Sequence, residues 1–378
     1  HEGVYAYYFR RLLQRARRVV MTYCSHADEK STGEMSRYIR QLEYEGKNPL
    51  RFVEVGVDVN LPQEDPLVIE KRGEVWRELE AFLREENPRK ISPTALSRYI
   101  ACPLKFYFAS IAHLKEREEI SDDVDNPLFG TLLHGSMELL YTPLLGQKVG
   151  REELSRLRQG DAVARAVDQT IIHEIYHDEE CDRSEWPGNL LLVRDMVVRY
   201  IEQGILAYDK EHPDFRLRGL ESEVESPFDF GRGVVRFAGK ADRIDELGER
   251  LYRVVDYKTG GVHLLFNGLE DLFTNAHRTK NGNIFQTILY SLLLNHTRGV
   301  EVIPSLYYVR QLNRKEFSPY LVDKSSGADQ LCYSACKGAF EEQLSSLLQE
   351  LFDPKIPFVA AEDEAGCTYC EFKAICRK

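Results

Sequence analysis

The sequence predicts a mixed α/β fold in which helices flank a central sheet. Segments with helical periodicity dominate as far as about residue 211, and three strand-like segments follow between residues 218 and 257. A helix and a further strand come next, and this order indicates a mixed core. The 378 residues are 43% hydrophobic, which is enough for a sizeable core and about two or three domains.

The charge of the chain limits what it can bind. The formal net charge is −11, with a pI near 5.5. Because phosphate binding relies on Lys and Arg, this argues against a wide basic surface that coats nucleic acid, but a local basic groove stays open. We interpret one basic run near the N terminus mainly as a solvated helix face, with nucleic-acid contact as the alternative: Arg10, Arg11, Arg15, Arg17 and Arg18.

Composition also indicates a compartment. No apolar run approaches the ~20 residues that cross a bilayer, and no export signal is recognisable. Eight cysteines in such a chain favour a reducing compartment and metal ligation over disulfides. We therefore expect a cytoplasmic protein without a membrane partner. Since residue 1 is His1 rather than Met, we also expect a fragment of a longer protein.

The pattern of the first 92 residues differs from that of the rest. Its predicted elements are a helix at 4–18, a short buried strand at 18–23, a helix from 33 and a charged helix at 73–86. We expect three parts in the whole chain: a small unit at 1–65, a linker helix within 66–92 and a main domain at 93–378.

The main domain is predicted to begin with a capped helix. Ser92 can cap it, Pro93 suits its first turn, and Pro103 interrupts it after Cys102. Further helices are predicted at 128–142, 151–180, 188–211, 285–295 and 329–351. Strands are predicted at 218–230, 234–245, 251–257, 305–309 and 319–322.

Two carboxylates and a lysine form the strongest catalytic signal. Asp256 and Lys258 are two apart on a predicted strand, so their side chains point to the same face. Asp242, near the end of the neighbouring strand, can supply a second hard oxygen ligand for Mg²⁺. An ordinary Asp–Lys pair at an exposed strand end is the alternative for the Asp-x-Lys motif alone.

Other polar residues fit the same site, although each has an ordinary structural interpretation by itself. His134 lies on an amphipathic helix and can ligate a metal through a neutral imidazole. Glu223 and Glu225 share one strand face and can add a carboxylate, or simply belong to a solvated strand. Gln286 and Tyr290 stand four apart on one helix face, from which they could reach a substrate.

These elements, in this order, resemble the RecB-type branch of the PD-(D/E)XK nucleases. The resemblance covers about residues 90–378 and implies a restriction-endonuclease-like core. One departure is Ala241, which stands where the family name has Pro. The resemblance implies a Mg²⁺- or Mn²⁺-dependent deoxyribonuclease, an exonuclease rather than an endonuclease. The implied metal ligands are His134, Asp242, Asp256 and the Tyr257 carbonyl, with Glu223 as a further candidate. The implied catalytic residues are Asp242, Asp256, Lys258, Gln286 and Tyr290.

The cysteines near the C terminus suggest a second inorganic centre. Cys367, Cys370 and Cys376 follow a C-x2-C-x5-C spacing, and Cys102 is the candidate for a fourth ligand. Four thiolates suit either Zn²⁺ or an iron–sulfur cluster, whereas buried free cysteines are the structural alternative. Cys332 and Cys336 fall on a predicted helix and indicate packing. Cys24 and Cys181 lack any pattern.

The one-plus-three cysteine arrangement resembles the iron–sulfur nucleases, in particular the C-terminal part of AddB-type helicase-nuclease subunits. This resemblance implies a [4Fe–4S] cluster that joins the two ends of the nuclease domain. It also implies DNA and a helicase subunit, or upstream helicase-like domains, as partners. Residues 10–37 look like the closing segment of a helicase-like domain, and no Walker A motif is present. Two alternatives remain: a catalytically silent iron–sulfur or zinc module that binds DNA or a partner, and a zinc-stapled structural domain of an unrelated enzyme.

Overall fold

The computed structural model of the chain describes residues 2–23, 34–46, 49–53, 66–115, 126–177, 183–274, 278–362 and 364–377. The chain divides into two compact units, His1–Glu64 and Asp65–Lys378. Within the described residues, none of the helices combines the length and the apolar character needed to cross a membrane.

The first unit contains helices α1 (Glu2–Leu13) and α2 (Arg37–Glu45). Ser36 caps α2 by accepting a hydrogen bond from the Tyr38 amide, and Gly46 ends it in the left-handed conformation. Phe9 stacks on Tyr38 with ring centroids 5.2 Å apart.

The strand predicted at 18–23 is wrong, because the described residues there have no strand pairing. An apolar run of that length becomes a strand only where a neighbouring strand accepts its backbone hydrogen bonds. The predicted helix start at Gly33 and the position of Cys24 lie outside the described residues.

The second unit is mixed α/β. Its strands are β1 (Val68–Ile69), β2 (Lys90–Ile91), β3 (Lys148–Val149), β4 (Phe215–Asp229), β5 (Val234–Gly248), β6 (Leu251–Lys258), β7 (Leu265–Phe266), β8 (Glu301–Tyr308), β9 (Val322–Asp323) and β10 (Phe358–Val359). Its helices are α3 (Glu74–Glu80), α4 (Pro93–Ala101), α5 (Pro103–Phe106), α6 (Asn126–Tyr141), α7 (Arg151–Leu157), α8 (Ala162–Ile171), α9 (Gly188–Tyr200), α10 (Leu206–Glu211), α11 (Arg278–Arg298), α12 (Tyr333–Leu351) and α13 (Lys373–Cys376).

The main sheet has the order β3-β4-β5-β6-β8, and β2 pairs in parallel with β5. The β4–β5 and β5–β6 ladders are antiparallel, whereas β6 and β8 are parallel. Parallel neighbours end at the same edge of a sheet, so the residues that follow β6 and β8 meet there. This mixed topology confirms the predicted mixed sheet.

Helices cover both faces of the sheet and create two apolar clusters. The first cluster packs side chains of α4, α11 and α12 against the sheet, including Tyr290 and Val254. The second packs α6, α8, α9 and α10 against the other side, including Val255 and Tyr257. Val254 and Val255 fall in different clusters because successive strand side chains point to opposite faces.

Several predicted boundaries shift. The predicted single helix at 151–180 is wrong: α7 ends before Gly160, whose positive φ of 67° stops it, and α8 continues into a π-helical turn at Ile172–Tyr176. The charged helix expected at 73–86 ends at Glu80, and short strands flank it. The cap at Ser92 is confirmed, since its hydroxyl accepts a 3.1 Å hydrogen bond from the Ala95 amide.

Candidate active site

The adjacent strands β5 and β6 bring two acidic side chains together. Arg243 pairs with Val255 in this antiparallel ladder, which makes Asp242 and Asp256 neighbours across it. The Tyr257 amide donates a 2.8 Å hydrogen bond to Asp242 Oδ2. Both carboxylates are buried, with 9% of Asp242 and 1% of Asp256 exposed. The two predicted carboxylates therefore form one buried pair.

Lys258 faces the same pair from the end of β6. Its Nζ lies 2.6 Å from Asp256 Oδ2. That oxygen forms no hydrogen bond of good geometry with any other described residue. A buried carboxylate oxygen with spare acceptor capacity is a position at which a cation or a water is favoured.

Helix α6 supplies an imidazole to this cluster. His134 Nδ1 lies 3.3 Å from Glu221 Oε1 and 3.4 Å from Asp242 Oδ2. One potential ligand atom from each of His134, Glu221 and Asp242 falls within 4.8 Å of the others. Carboxylate oxygens with a neutral imidazole fit a divalent ion such as Mg²⁺ or Mn²⁺.

Glu221, rather than Glu223, joins the site. The β4–β5 register shifts between Leu217 and Gly219, and Glu221 then adopts a positive φ of 42°. Such an irregularity re-aims a side chain, and Glu221 reaches His134 and, at 3.0 Å, Lys240 Nζ. Glu223 is exposed on the continuing strand. Alternation alone places Glu221, Glu223 and Glu225 on one strand face, so it does not distinguish them, and for Glu223 the structure agrees with the alternative of a solvated strand.

Glu225, the other glutamate considered for the site, is engaged elsewhere. It forms ion pairs with Lys90 and Arg236, away from the buried acidic pair. The acidic run of β4 is therefore divided: Glu221 lies in the cluster, and the two later glutamates do not.

Helix α11 places Gln286 and Tyr290 over the same face of the sheet. Gln286 Nε2 donates a 3.2 Å hydrogen bond to the Tyr290 hydroxyl. A Cβ at Gly239 would lie only 2.6 Å from Tyr290 Cε1, so glycine lets this ring approach β5. Burial raises the pKa of Tyr290, and Asp256 and Asp242 add to that effect. The predicted glutamine–tyrosine pair therefore lies beside the acidic pair.

Excess negative charge sets the protonation of the cluster. Burial first, and then the charge of Asp256, raise the pKa of Asp242 to about 7. Burial would lower the pKa of His134, but Glu221, Asp242 and Asp256 outweigh it and raise that pKa. Near neutral pH the cluster therefore holds protons that a bound cation would replace.

Burial would lower the pKa of Lys258, but the charge of Asp256 outweighs burial. The pKa is therefore raised and the lysine stays protonated. The pKa of Glu221 shifts in the opposite direction to that of Asp242. Burial would raise its pKa, but hydrogen bonds with His134 and Lys240 lower it. Glu221 is therefore an ionised carboxylate at neutral pH, next to Asp242, whose raised pKa favours the protonated form.

The four cysteines singled out in the sequence meet at another place. Cys102, at the junction of α4 and α5, and Cys367, Cys370 and Cys376 line one cavity of about 350 Å³. Lys105 forms a 2.8 Å ion pair with Glu371 beside it. The structure thus brings together thiols from the two ends of the second unit.

The other cysteines lie away from that cavity. Cys332 precedes α12, and Cys336 is buried within it, where its thiol donates to the Tyr333 carbonyl. Burial raises the pKa of the Cys336 thiol to about 12, as expected for an unreactive packing cysteine. Cys24 and Cys181 fall outside the described residues.

Comparison with known proteins gives a family match. The model of the PD-(D/E)XK nuclease superfamily matches residues 90–377. An ATP-dependent helicase/deoxyribonuclease subunit from Carboxydothermus hydrogenoformans is 26% identical over 271 residues, which cover 66% of this chain and 22% of the relative. The protein of that name from Alkaliphilus oremlandii is 23% identical over 185 residues, or 46% of this chain and 16% of the relative.

A third relative with the same name, from Streptococcus agalactiae, is 21% identical over 236 residues, or 61% of this chain and 19% of the relative. The chain thus spans 16–22% of the length of these curated relatives.

Proposed function

Since the chain belongs to the PD-(D/E)XK nuclease superfamily, we propose that it is the nuclease part of a DNA helicase-nuclease and hydrolyses phosphodiester bonds with Mg²⁺ or Mn²⁺. The observation that carries this proposal is the buried cluster of Asp242, Asp256 and Lys258 on two neighbouring strands. A site that only binds DNA has no need for two buried carboxylates beside a lysine.

We assign a separate role to each side chain. Asp242, Asp256 and His134 hold the divalent ion, with Glu221 orienting the imidazole and the Tyr257 carbonyl as a further ligand. When bound, the ion stabilises the charge that develops on the phosphate and lowers the pKa of the attacking water. Gln286 and Tyr290 contact the DNA strand next to the scissile bond.

Lys258 acts on the phosphate itself. Its ammonium group, held by Asp256, orients the water and offsets the negative charge of the transition state. Water attacks phosphorus in line with the leaving oxygen, the P–O bond to that oxygen breaks, and the two products are a phosphate end and a hydroxyl end. Asp256 keeps Lys258 protonated, so Lys258 acts as a fixed positive charge rather than as a base.

We assign Cys102, Cys367, Cys370 and Cys376 to a [4Fe–4S] cluster, with zinc as the alternative. In a tetrahedral zinc site with Zn–S bonds of about 2.3 Å, the sulfurs lie about 3.8 Å apart. Among the described residues, no three of these cysteine sulfurs lie within 4.8 Å of one another. This wider spacing around one cavity favours a larger inorganic group, which would link the two ends of the nuclease domain.

The cluster assignment is tested by replacing one cysteine. Cys370→Ser should lose the visible absorbance and most of the iron of the anaerobically purified protein, whereas Cys332→Ser should keep both. Elemental analysis that finds zinc and no iron in the wild type would establish the alternative.

The names of the relatives support a wider assignment. Because each is called a helicase/deoxyribonuclease subunit, we propose a helicase partner or upstream helicase-like domains, and DNA as the substrate. In this proposal residues 1–65 close a helicase-like domain, 66–92 link it, and 93–378 form the nuclease domain. We further propose cytoplasmic DNA repair or recombination and an exonuclease that acts on single strands or duplex ends.

The decisive experiment measures cleavage of end-labelled single- and double-stranded DNA with Mg²⁺ or Mn²⁺. Wild type should cut, whereas Asp256→Ala and Lys258→Ala should not, and Glu223→Ala, at an exposed position on β4, should cut normally. Circular DNA of the same sequence should resist an exonuclease. An inert wild type with its metal cluster intact would favour the alternative, a catalytically silent module that binds DNA or a partner.

A further inference from the structure

A basic turn lies immediately beyond the active-site edge of the sheet. Lys258 ends β6, Tyr308 is its partner in β8, and the Val309 amide donates a 3.1 Å hydrogen bond to the Lys258 carbonyl. Because β6 and β8 are parallel, the chain that leaves β8 begins at the same edge as the catalytic lysine. We call residues 310–315 the basic turn, because they include Arg310, Arg314 and Lys315.

The basic turn is fixed in place rather than loosely attached. The Arg314 amide donates to the Gln311 carbonyl at 2.9 Å, and the Phe317 amide donates to the Arg314 carbonyl at 3.0 Å. Leu312 is only 4% exposed and anchors the turn in the second apolar cluster. Its charged side chains therefore project from a backbone that is already ordered, which lowers the entropic cost of binding.

The positive charges of the basic turn are available to a ligand. Arg310, Arg314 and Lys315 are exposed, and none forms an ion pair with another residue in the described part of the chain. Arg314 and Lys315 also line an open cavity of about 650 Å³ with Val262 and with Glu316, whose negative charge offsets one of the two positive charges there. On a chain of net charge −11, these three cations create a local positive charge beside an acidic site.

We propose that the basic turn grips the phosphate backbone of the DNA strand on one side of the scissile bond and so holds the strand in the active site. The inference rests on the proposed nuclease function, whose acidic cluster would otherwise repel a polyanion. Arginine and lysine neutralise phosphates without reading base sequence, so the contact suits an enzyme that acts along any strand.

The test is the salt dependence of DNA binding by the whole chain with its metal cluster. Fluorescence anisotropy of a labelled single-stranded oligonucleotide is measured over a salt series, with Ca²⁺ replacing Mg²⁺ and the oligonucleotide verified to be intact. The triple variant Arg310→Ala, Arg314→Ala, Lys315→Ala should reduce the slope of log Kd against log salt by about 2, since each phosphate contact contributes about 0.7 on single strands. In cleavage assays it should raise KM and leave kcat within about twofold.

Two control variants test whether the effect comes from net charge alone or from the particular side chains that were removed. Arg151→Ala, Arg156→Ala, Arg158→Ala makes the same change in net charge from exposed positions at α7, which packs on β3 and α10, and it should keep the wild-type slope. Replacing the three basic-turn residues by the other basic type (Arg310→Lys, Arg314→Lys, Lys315→Arg) should restore the slope.

The outcomes separate this inference from the proposed function. A wild type that cleaves DNA while the alanine variant keeps the full slope overturns the role of the basic turn alone. A wild type that binds DNA through the turn but never cleaves overturns the nuclease function and leaves the turn in place. A wild type that binds no DNA overturns both.

Discussion

Two clusters of charged side chains lie on opposite faces of β5 and β6, and they differ in how their charges balance. In the first, which we call the buried network, Arg243 binds Asp209 at 2.6 Å and Asp245 at 2.8 Å, and Arg253 binds Asp245 at 2.7 Å. Each of these side chains is at most 2% exposed. Two positive charges therefore meet two negative charges out of contact with water.

The two buried carboxylates of the active site have fewer partners by comparison. Among the described residues, Lys258 is the one lysine that forms an ion pair with Asp242 or Asp256, because Lys240 pairs with Glu221 instead. His134 lies between Glu221 and Asp242 and serves both. Burial of unpaired charge is costly, and the raised pKa of Asp242 is the sign of that cost. The same strands therefore carry one ionic cluster that holds them together and one that is suited to bind a cation.

The largest difference between the two clusters is expected in the free energy of unfolding, when one aspartate of each cluster is replaced by asparagine. Asp245→Asn leaves Arg243 and Arg253 with too little negative charge in a buried site, so we expect a loss of about 3–5 kcal/mol of unfolding free energy. Urea denaturation in the presence of a chelator measures it. A loss below about 1 kcal/mol would mean that the buried network contributes little to stability.

Asp242→Asn, three residues earlier on β5, should act in the opposite direction without metal. Because the folded-state pKa is raised to about 7, the aspartate weakens folding as pH rises from its unfolded value through about 7. We therefore expect the variant to match wild type in acid and to exceed it by a few kcal/mol at pH about 8. The variant should also lose nuclease activity. Equal urea midpoints at both pH values would show that burial of Asp242 is not costly.

A smaller effect should separate the two glutamates of β4. Glu221→Gln weakens the support of His134, so the Mg²⁺ or Mn²⁺ concentration that gives half-maximal cleavage should rise by about 10–100-fold. Glu223→Gln, at an exposed position two residues away, is the matched control and should leave that concentration unchanged. The reverse result would restore the assignment first made from the sequence.

The prediction from sequence succeeds where spacing alone decides the geometry. Asp256 and Lys258 share a face because strand side chains alternate, and Gln286 and Tyr290 meet because they are four apart on a helix. Glu221 was missed because the shift in register before it is set by pairing with β5, not by its own residues. An expected strand at 18–23 failed for a related reason, since a strand depends on a partner that local sequence does not specify.

Arg243 and Asp209 show the same limit at longer range. They are 34 residues apart in sequence and meet only when α10 packs on the sheet. Asp245, two residues from Arg243, stands in the same motif as Asp242, and nothing in the motif says which aspartate faces a cation and which faces an arginine.

The last prediction concerns the pH dependence of metal binding, which should differ between the active-site cluster and the buried network. Asp242 and His134 hold protons because their pKa values are raised, so a metal that binds to them must displace those protons. In the buried network the carboxylates pair with arginines instead. The affinity for Mn²⁺ should therefore rise by about tenfold for each pH unit and for each proton displaced, and the part of the rise that is due to Asp242 should level off above about pH 7. Isothermal titration in buffers of different ionisation enthalpy measures both the affinity and the proton released. If Mn²⁺ binds without releasing a proton at pH about 6, its ligands have already lost their protons, and Asp242 is then an ordinary paired carboxylate like those of the buried network.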